Sequence, residues 1–316
     1  AALRQARGRG DLEGPDFRVR PPPGGYAWWY VDGCSDDGTR AVSVIGFIGT
    51  VFSPWYHWSG RGRPDNHVCL NVVTRGGGVP RFTMTDRGAG ALRQSADTLQ
   101  IGPSRMHWTR GALVIDIDEA GAPPLFGRVK GRITLTPQAV TETEAVLDAA
   151  AHHIWRPFAP VSRITVELGG QSWQGHGYFD ANFGARPLEA DFRRWTWGRY
   201  AAKDRSVVFY DGLRRDGSTL ALAVQTSGGV VTPIAAPPLT RLPRTGWLLP
   251  RETRADPGTK PRQKAMLLDA PFYSRAAVEV SLQGETMQGM HEALDLDRYA
   301  WPWLKPMIAL RVPRKA

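Results

Sequence analysis

The sequence predicts an all-β protein made of two antiparallel barrel or sandwich domains. Three observations support this: apolar residues recur mostly at every second position, turn signals separate the runs, and helical periodicity is almost absent. In chain order, the WWYVDG segment and the Val42–Phe52 segment flank Asp36-Asp37-Gly38, a hairpin signal. In ALVIDIDE, Leu113, Ile115 and Ile117 alternate with Val114, Asp116 and Asp118. In GRVKGRITLTP, Val129, Ile133 and Leu135 share a face opposite Arg128, Lys130, Arg132 and Thr134. RITVELG sets Ile164, Val166 and Leu168 against Thr165 and Glu167, and AVEVSLQG sets Val278, Val280 and Leu282 against Glu279 and Ser281. Arg215-Asp216-Gly217 marks a second hairpin, between SVVFYDGL and TLALAVQT. Helical character is expected only at Glu142–Ala151 and, as a short turn, within Pro187–Arg194.

A chain of 316 residues suits two domains, each large enough to bury its own core. The prolines of HHIWRPFAP, Pro157 and Pro160, read as an interdomain linker. The expected layout is a disordered segment 1–13, a domain 14–155 and a domain 156–316. No short repeat period points to a propeller or solenoid. Cys34 and Cys69 are too few for a disulfide framework or a Cys-rich zinc site and read as buried free thiols. The uncharged run Ala41–Trp58 contains Gly46, Gly49, Ser53, Pro54 and His57, so it reads as a buried strand and an aromatic loop, not a membrane span. The opening AALRQARGRGDLEG lacks the apolar region of a signal peptide.

The net charge of +10 suits nucleic acid, anionic lipid or an acidic substrate. The arginines are dispersed, with local clusters only at Arg311, Arg314 and Lys315 and at 251–264. That spacing favours solvated faces and attraction to an anionic membrane surface over nucleic acid.

No Walker loop, dinucleotide fingerprint, G-x-S-x-G elbow or H-E-x-x-H motif is present; His291-Glu292 runs into Ala293, Leu294 and Asp295. Nothing suggests a metal site. What remains is polar groups among aromatics. Strand alternation sets His176, Tyr178 and Asp180 on one face, followed by Asn182 and Phe183. His153 with Trp155, and Trp195 with Trp197, repeat the two-residue spacing. Trp28, Trp29 and Tyr30, with Trp55, Tyr56 and Trp58, add a Trp-rich half. These aromatics fit a core or a pocket for a long apolar ligand. Either an acid site or an ordinary solvent face explains the His-Tyr-Asp row.

GGYAWWYVDGCSDDG, FIGTVFSPWY with DNHVCLNV, TMTDRG and LVIDIDE resemble the N-terminal half of the carotenoid 1,2-hydratase (hydroxyneurosporene synthase) family. HHIWRPFAP, HGYFDANFG, PLEADFRRWTWGR and MHEALDLDRY resemble its C-terminal half. The resemblance covers about residues 14 to 313. It implies two tandem lipocalin-like (calycin-type) domains and addition of water across the terminal C1–C2 double bond of an acyclic carotene, without a cofactor. It places the family's acid at Asp180, with His153, Trp155 and Tyr178 as companions. Substrate contacts are then expected from His176, Asn182, Phe183, Trp195, Trp197, Trp28, Trp55, Tyr56 and Glu292. A polyene cyclase and a non-catalytic carotenoid or lipid carrier are the alternatives.

The chemistry is coherent. Protonating C2 of a trisubstituted alkene leaves a tertiary cation at C1, which water captures. Burial favours the protonated form of a carboxyl. An aromatic face from Trp155 or Tyr178 attracts the cation, and His153 or His176 would orient the water. Should Asp180 not be the acid, Glu292 and Asp32 are next. The bilayer-soluble substrate and the basic charge place the protein peripherally on the cytoplasmic side of the bacterial inner (photosynthetic) membrane.

Overall fold

The computed structural model describes residues 2–6 and 13–315. It contains two compact units, Ala2–Pro187 with Lys305–Ala316, and Leu188–Leu304. Each is built on an antiparallel sheet, as the alternating sequence requires.

In the first unit the sheet runs in space from Val68–Arg75 through Ala41–Ile48, Tyr26–Ser35, Gln171–Gly184, His153–Leu168, Arg128–Pro137 and Ala112–Ala120 to Ser104–Thr109. The register pairs Ile115 with Ile133 and Ile133 with Val166, so the predicted apolar faces coincide across three strands. With Trp29, Val31, Val44, Leu70, Phe158 and Phe179 they form a continuous core. The hairpin at Asp36-Asp37-Gly38 closes by a bond from the Gly38 N–H to the Ser35 carbonyl, 2.8 Å, with Gly38 at φ 68°. Ala41–Ile48 is a buried strand and Pro54–Trp58 a short helix. Among the described residues no helix is long and apolar enough to cross a membrane. Both cysteines are free and buried, and burial pushes the Cys69 thiol well up.

Three expectations fail here. The strand His153–Leu168 passes through the expected boundary at 155/156, and the compact units meet in sequence at Pro187/Leu188. Proline lacks the N–H that a ladder uses, so Pro157 and Pro160 read as a linker. Instead the pairing with Gln171–Gly184 shifts register between Arg156 and Ala159 and again between Ala159 and Ser162, and the strand continues past both. Glu142–Ala151 is not helical: Thr143–Val146 is a strand whose Ala145 and Val146 pair with Trp155 and Ile154. Within the segment 1–13 expected to lack order, Ala2–Gln5 pairs with Thr143–Val146, while residues 7–12 lie outside the described residues.

The second unit holds a seven-stranded sheet ordered Val230–Pro233, Thr219–Ser227, Arg205–Arg214, Phe192–Ala201, Glu285–Asp295, Tyr273–Leu282, Arg262–Asp269. The Arg215-Asp216-Gly217 hairpin is present, with the Gly217 N–H donating to the Arg214 carbonyl at 3.1 Å. The expected short helix appears at Leu188–Asp191. Tyr200, Val207, Phe209, Ala276, Val278 and Met287 pack on one sheet face. A separate hairpin joins Leu239–Leu242 to Arg251–Arg254.

Candidate active site

Alternation along Tyr26–Ser35 gives Ala27, Trp29 and Val31 to the core and leaves Tyr26, Trp28, Tyr30 and Asp32 on the other face. That second face is buried too. The antiparallel register sets Asp180 opposite Tyr30, Tyr178 opposite Asp32 and Asn182 opposite Trp28, and the next strand sets Trp155 opposite Asn182. Three strands therefore deliver their polar and aromatic side chains to one patch.

Asp180 is 2% exposed and lies at the centre of this patch. The Trp155 indole N–H donates to its Oδ2 at 2.8 Å, and the Tyr178 hydroxyl donates to the same oxygen at 2.7 Å. The Asn182 amide donates to Oδ1 at 3.1 Å. Two effects oppose each other at such a carboxyl: burial disfavours its charge, and hydrogen-bond donors favour it. Because the donors are uncharged and fixed, they face negative charge that appears when a proton leaves.

His153 belongs to the same face, two residues from Trp155, roughly 6.6 Å along the strand. Its Nδ1 is hydrogen-bonded to the Tyr26 hydroxyl at 2.8 Å, and the two rings stack at 5.9 Å. Tyr26 stacks in turn on Trp28 at 4.7 Å. Next to Asp180, Tyr30 meets Tyr178 edge-on at 6.2 Å and donates its hydroxyl hydrogen to Asp32 Oδ2 at 2.9 Å. Asp32 is thus a second fully buried carboxyl on this face.

Of the expected site residues, the structure brings together Asp180, Trp155, Tyr178 and Asn182, with His153 and Trp28 bordering them. His176 shares their face but stands four residues from Asp180, about 13 Å along the strand. Phe183 has the opposite parity and packs on the core, edge-on to Trp29 at 6.1 Å. Trp55 donates its indole N–H to the Val312 carbonyl at 2.6 Å, and Tyr56 its hydroxyl to the Gly25 carbonyl at 2.6 Å. Both pin the short helix in place. Burial pushes the Tyr56 phenol above its ordinary range. Tyr26 was not among the candidates; the period-two row Tyr26, Trp28, Tyr30, Asp32 is the signal that could have found it.

Trp195, Trp197 and Glu292 belong to the second unit. Trp195 lines a cavity of about 380 Å³ with Leu213, Leu220, Leu249 and Leu294. Trp197 is buried and pairs with Glu292 across the strands. Glu292 accepts from the Arg275 Nε at 2.6 Å, and Arg275 Nη2 donates to the Tyr273 hydroxyl at 2.5 Å. Burial raises the Tyr273 phenol well above its ordinary range. Among the described residues no group of three or more His, Cys, Asp or Glu side chains is placed to hold a metal ion.

The sequence profile of the family described as carotenoid hydratase CrtC matches residues 44–316. The chain is 58% identical over 274 residues to an acyclic carotenoid 1,2-hydratase of Cereibacter sphaeroides, covering 86% of this chain and 98% of the relative. It is 56% identical over 276 residues to the enzyme of the same description from Rhodobacter capsulatus, with 86% and 98% covered. A third, from Thiocapsa roseopersicina, is 44% identical over 314 residues, with 97% and 77% covered. Among solved structures, an AttH of Nitrosomonas europaea superimposes with a TM-score of 0.58 at 14% identity, covering 86% of this chain and 92% of that one. Kievitone hydratase from Nectria haematococca gives 0.53 at 12% identity, covering 93% and 97%. At these identities the structural likeness is one of fold.

Proposed function

The chain belongs to the carotenoid hydratase family, and we propose that the Asp180 carboxyl is the acid and base of its reaction. The activity is hydration of the terminal C1–C2 double bond of acyclic carotenes. The observation that carries the mechanism is the convergence of Trp155, Tyr178 and Asn182 on one buried carboxyl.

The protonated Asp180 gives its proton to C2, the alkene π pair forms the new C–H bond, and C1 becomes a tertiary cation. Negative charge then develops on the carboxylate, where the Trp155 and Tyr178 donors meet it. Those two rings also offer π faces to the cation. A water oxygen bonds to C1, its proton returns to Asp180, and a tertiary alcohol leaves with the acid regenerated. Oδ2 already accepts from both Trp155 and Tyr178, so Oδ1 is assigned the proton that is delivered. His153, held by Tyr26, orients the water.

The substrate resides in bilayers, and the protein's charge of +10 attracts anionic lipid. On this reading it works peripherally, at the cytoplasmic face of the bacterial inner membrane, with a lipid surface and not nucleic acid as its partner. Incubation with lycopene or neurosporene in liposomes tests the activity: product mass must rise by one water. In deuterated water the product must carry one carbon-bound deuterium at C2. Product without that label would refute proton delivery to C2.

A further inference from the structure

Four large apolar side chains of the second unit stand in solvent: Trp247 is 47% exposed, Leu248 61%, Trp301 38% and Trp303 47%. Arg298 gathers them. Its Nη1 donates to the Trp247 carbonyl at 2.9 Å, its Nη2 to the Leu248 carbonyl at 3.4 Å, and its guanidinium lies 5.6 Å from the Trp301 ring centre. Trp301 and Trp303 are 5.4 Å apart.

The loop that carries Trp247 and Leu248 is built to present them. The Leu248 N–H donates to the Thr245 carbonyl at 2.9 Å, and the Gly246 N–H to Asp269 Oδ2 at 2.7 Å. Leu249 is buried beneath and, with Pro250, walls the 380 Å³ cavity. Leu248 holds φ at 60°, a left-handed conformation unfavourable for a bulky residue. The strain falls on a residue whose apolar side chain stands in solvent. Arg244 is exposed beside it, and the side chain of Arg241, on the neighbouring strand, is 92% exposed and only loosely paired with Glu252 at 3.9 Å.

We propose that Trp247, Leu248, Trp301 and Trp303 form a wedge that inserts into an anionic lipid bilayer. Tryptophan is suited to the headgroup level, where its ring is buried and its N–H stays hydrated. Arg241 and Arg244 supply charge complementary to the lipid, in keeping with the +10 of the whole chain. This deepens the membrane part of the proposed function, and its test is independent of carotene.

The test is co-sedimentation with phosphatidylcholine vesicles with and without phosphatidylglycerol, at low and physiological salt. Wild type is expected to bind the anionic vesicles, with tryptophan emission quenched by brominated acyl chains. Trp247→Ser with Trp303→Ser should weaken binding at least about tenfold, from the apolar area removed. Leu248→Gly should also weaken binding while relieving the strained backbone, so its loss cannot be blamed on misfolding. Arg244→Gln should weaken binding less and flatten its salt dependence. Hydration of detergent-delivered carotene should persist in all of them; if it is absent even in wild type while vesicle binding follows the wedge, the hydratase reading fails and the wedge stands. Vesicle binding unchanged in the double variant and in Leu248→Gly would overturn the proposal. So would a change in oligomeric state with vesicle binding intact, which would make the patch a contact with a second copy.

Discussion

In the first unit the Asp180 carboxyl receives hydrogen bonds from an indole, a phenol and an amide; in the second, Glu292 is bonded by the charged Arg275 guanidinium as well as by the Tyr273 phenol. Both lie on the sheet face turned away from their unit's core, and both sit beside tryptophan and tyrosine. The difference is the charge of the donors. A guanidinium brings a fixed positive charge, so the Arg275–Glu292 pair balances itself. Neutral donors shape the site around a carboxyl without cancelling its charge, so gaining and losing a proton remains a change the surroundings must answer. The first arrangement suits proton transfer and the second suits holding strands together.

Substitutions on either side separate the two carboxyls. Glu292→Ala should be most damaging to stability: it leaves Arg275, whose side chain is 1% exposed, buried without this carboxylate. A loss of about 3–5 kcal/mol in denaturant unfolding is expected, while the protein that remains folded hydrates carotene within tenfold of wild type. Hydration lost together with intact stability would instead make Glu292 part of the reaction.

A second probe of the ionic unit is pH. Burial holds the His291 imidazole down at about 4, its Nε2 donating to the Glu252 carbonyl at 2.8 Å. Its unfolded value is near 6.5, so the unfolded chain binds this proton first. Stability is therefore full above pH 6.5 and falls as pH drops towards 4, by roughly 3 kcal/mol from this group. His291→Gln should flatten that part of the stability–pH curve, measured by urea unfolding at several pH values.

On the neutral-donor side, Tyr178→Phe and Trp155→Phe each remove one bond to Asp180 but keep an aromatic face. Each should slow hydration about tenfold, in line with one lost hydrogen bond to a charged group. Equal losses for Ala and Phe at either position would show that the ring, not the donor, matters little. Tyr26→Phe removes the hydroxyl bonded to His153 Nδ1 and should slow turnover a few-fold, with thermal unfolding scarcely moved.

The strands were legible because Leu113–Ile117, Val129–Leu135 and Val278–Leu282 each have one buried face, which a period of two records directly. That His176, Tyr178 and Asp180 share a face was legible for the same reason. The break near 155 was misread because Pro157 and Pro160 signal a linker locally, while the pairing that carries the strand past them comes from Gln171–Gly184, later in the chain. Phe183 was misassigned by one residue of parity, since proximity in sequence to Asp180 says nothing of which face a side chain takes. Tyr26 touches His153 across 127 residues, a contact that only the register of three strands creates. His176 shows the limit of face arguments: it shares the face and is still too far along the strand.

In the proposed mechanism Asp180 supplies the proton. The direct measurement is the rate of product formation by Asp180→Asn, with folding checked by near-UV circular dichroism and carotene binding checked by its absorption shift. Asparagine keeps the shape and can still accept from Tyr178 or Trp155, but it has no carboxyl proton. A fall of about 10²–10⁴-fold with binding retained is the expected result. Hydration within a few-fold of wild type would contradict the account and move the acid elsewhere, first to the buried Asp32.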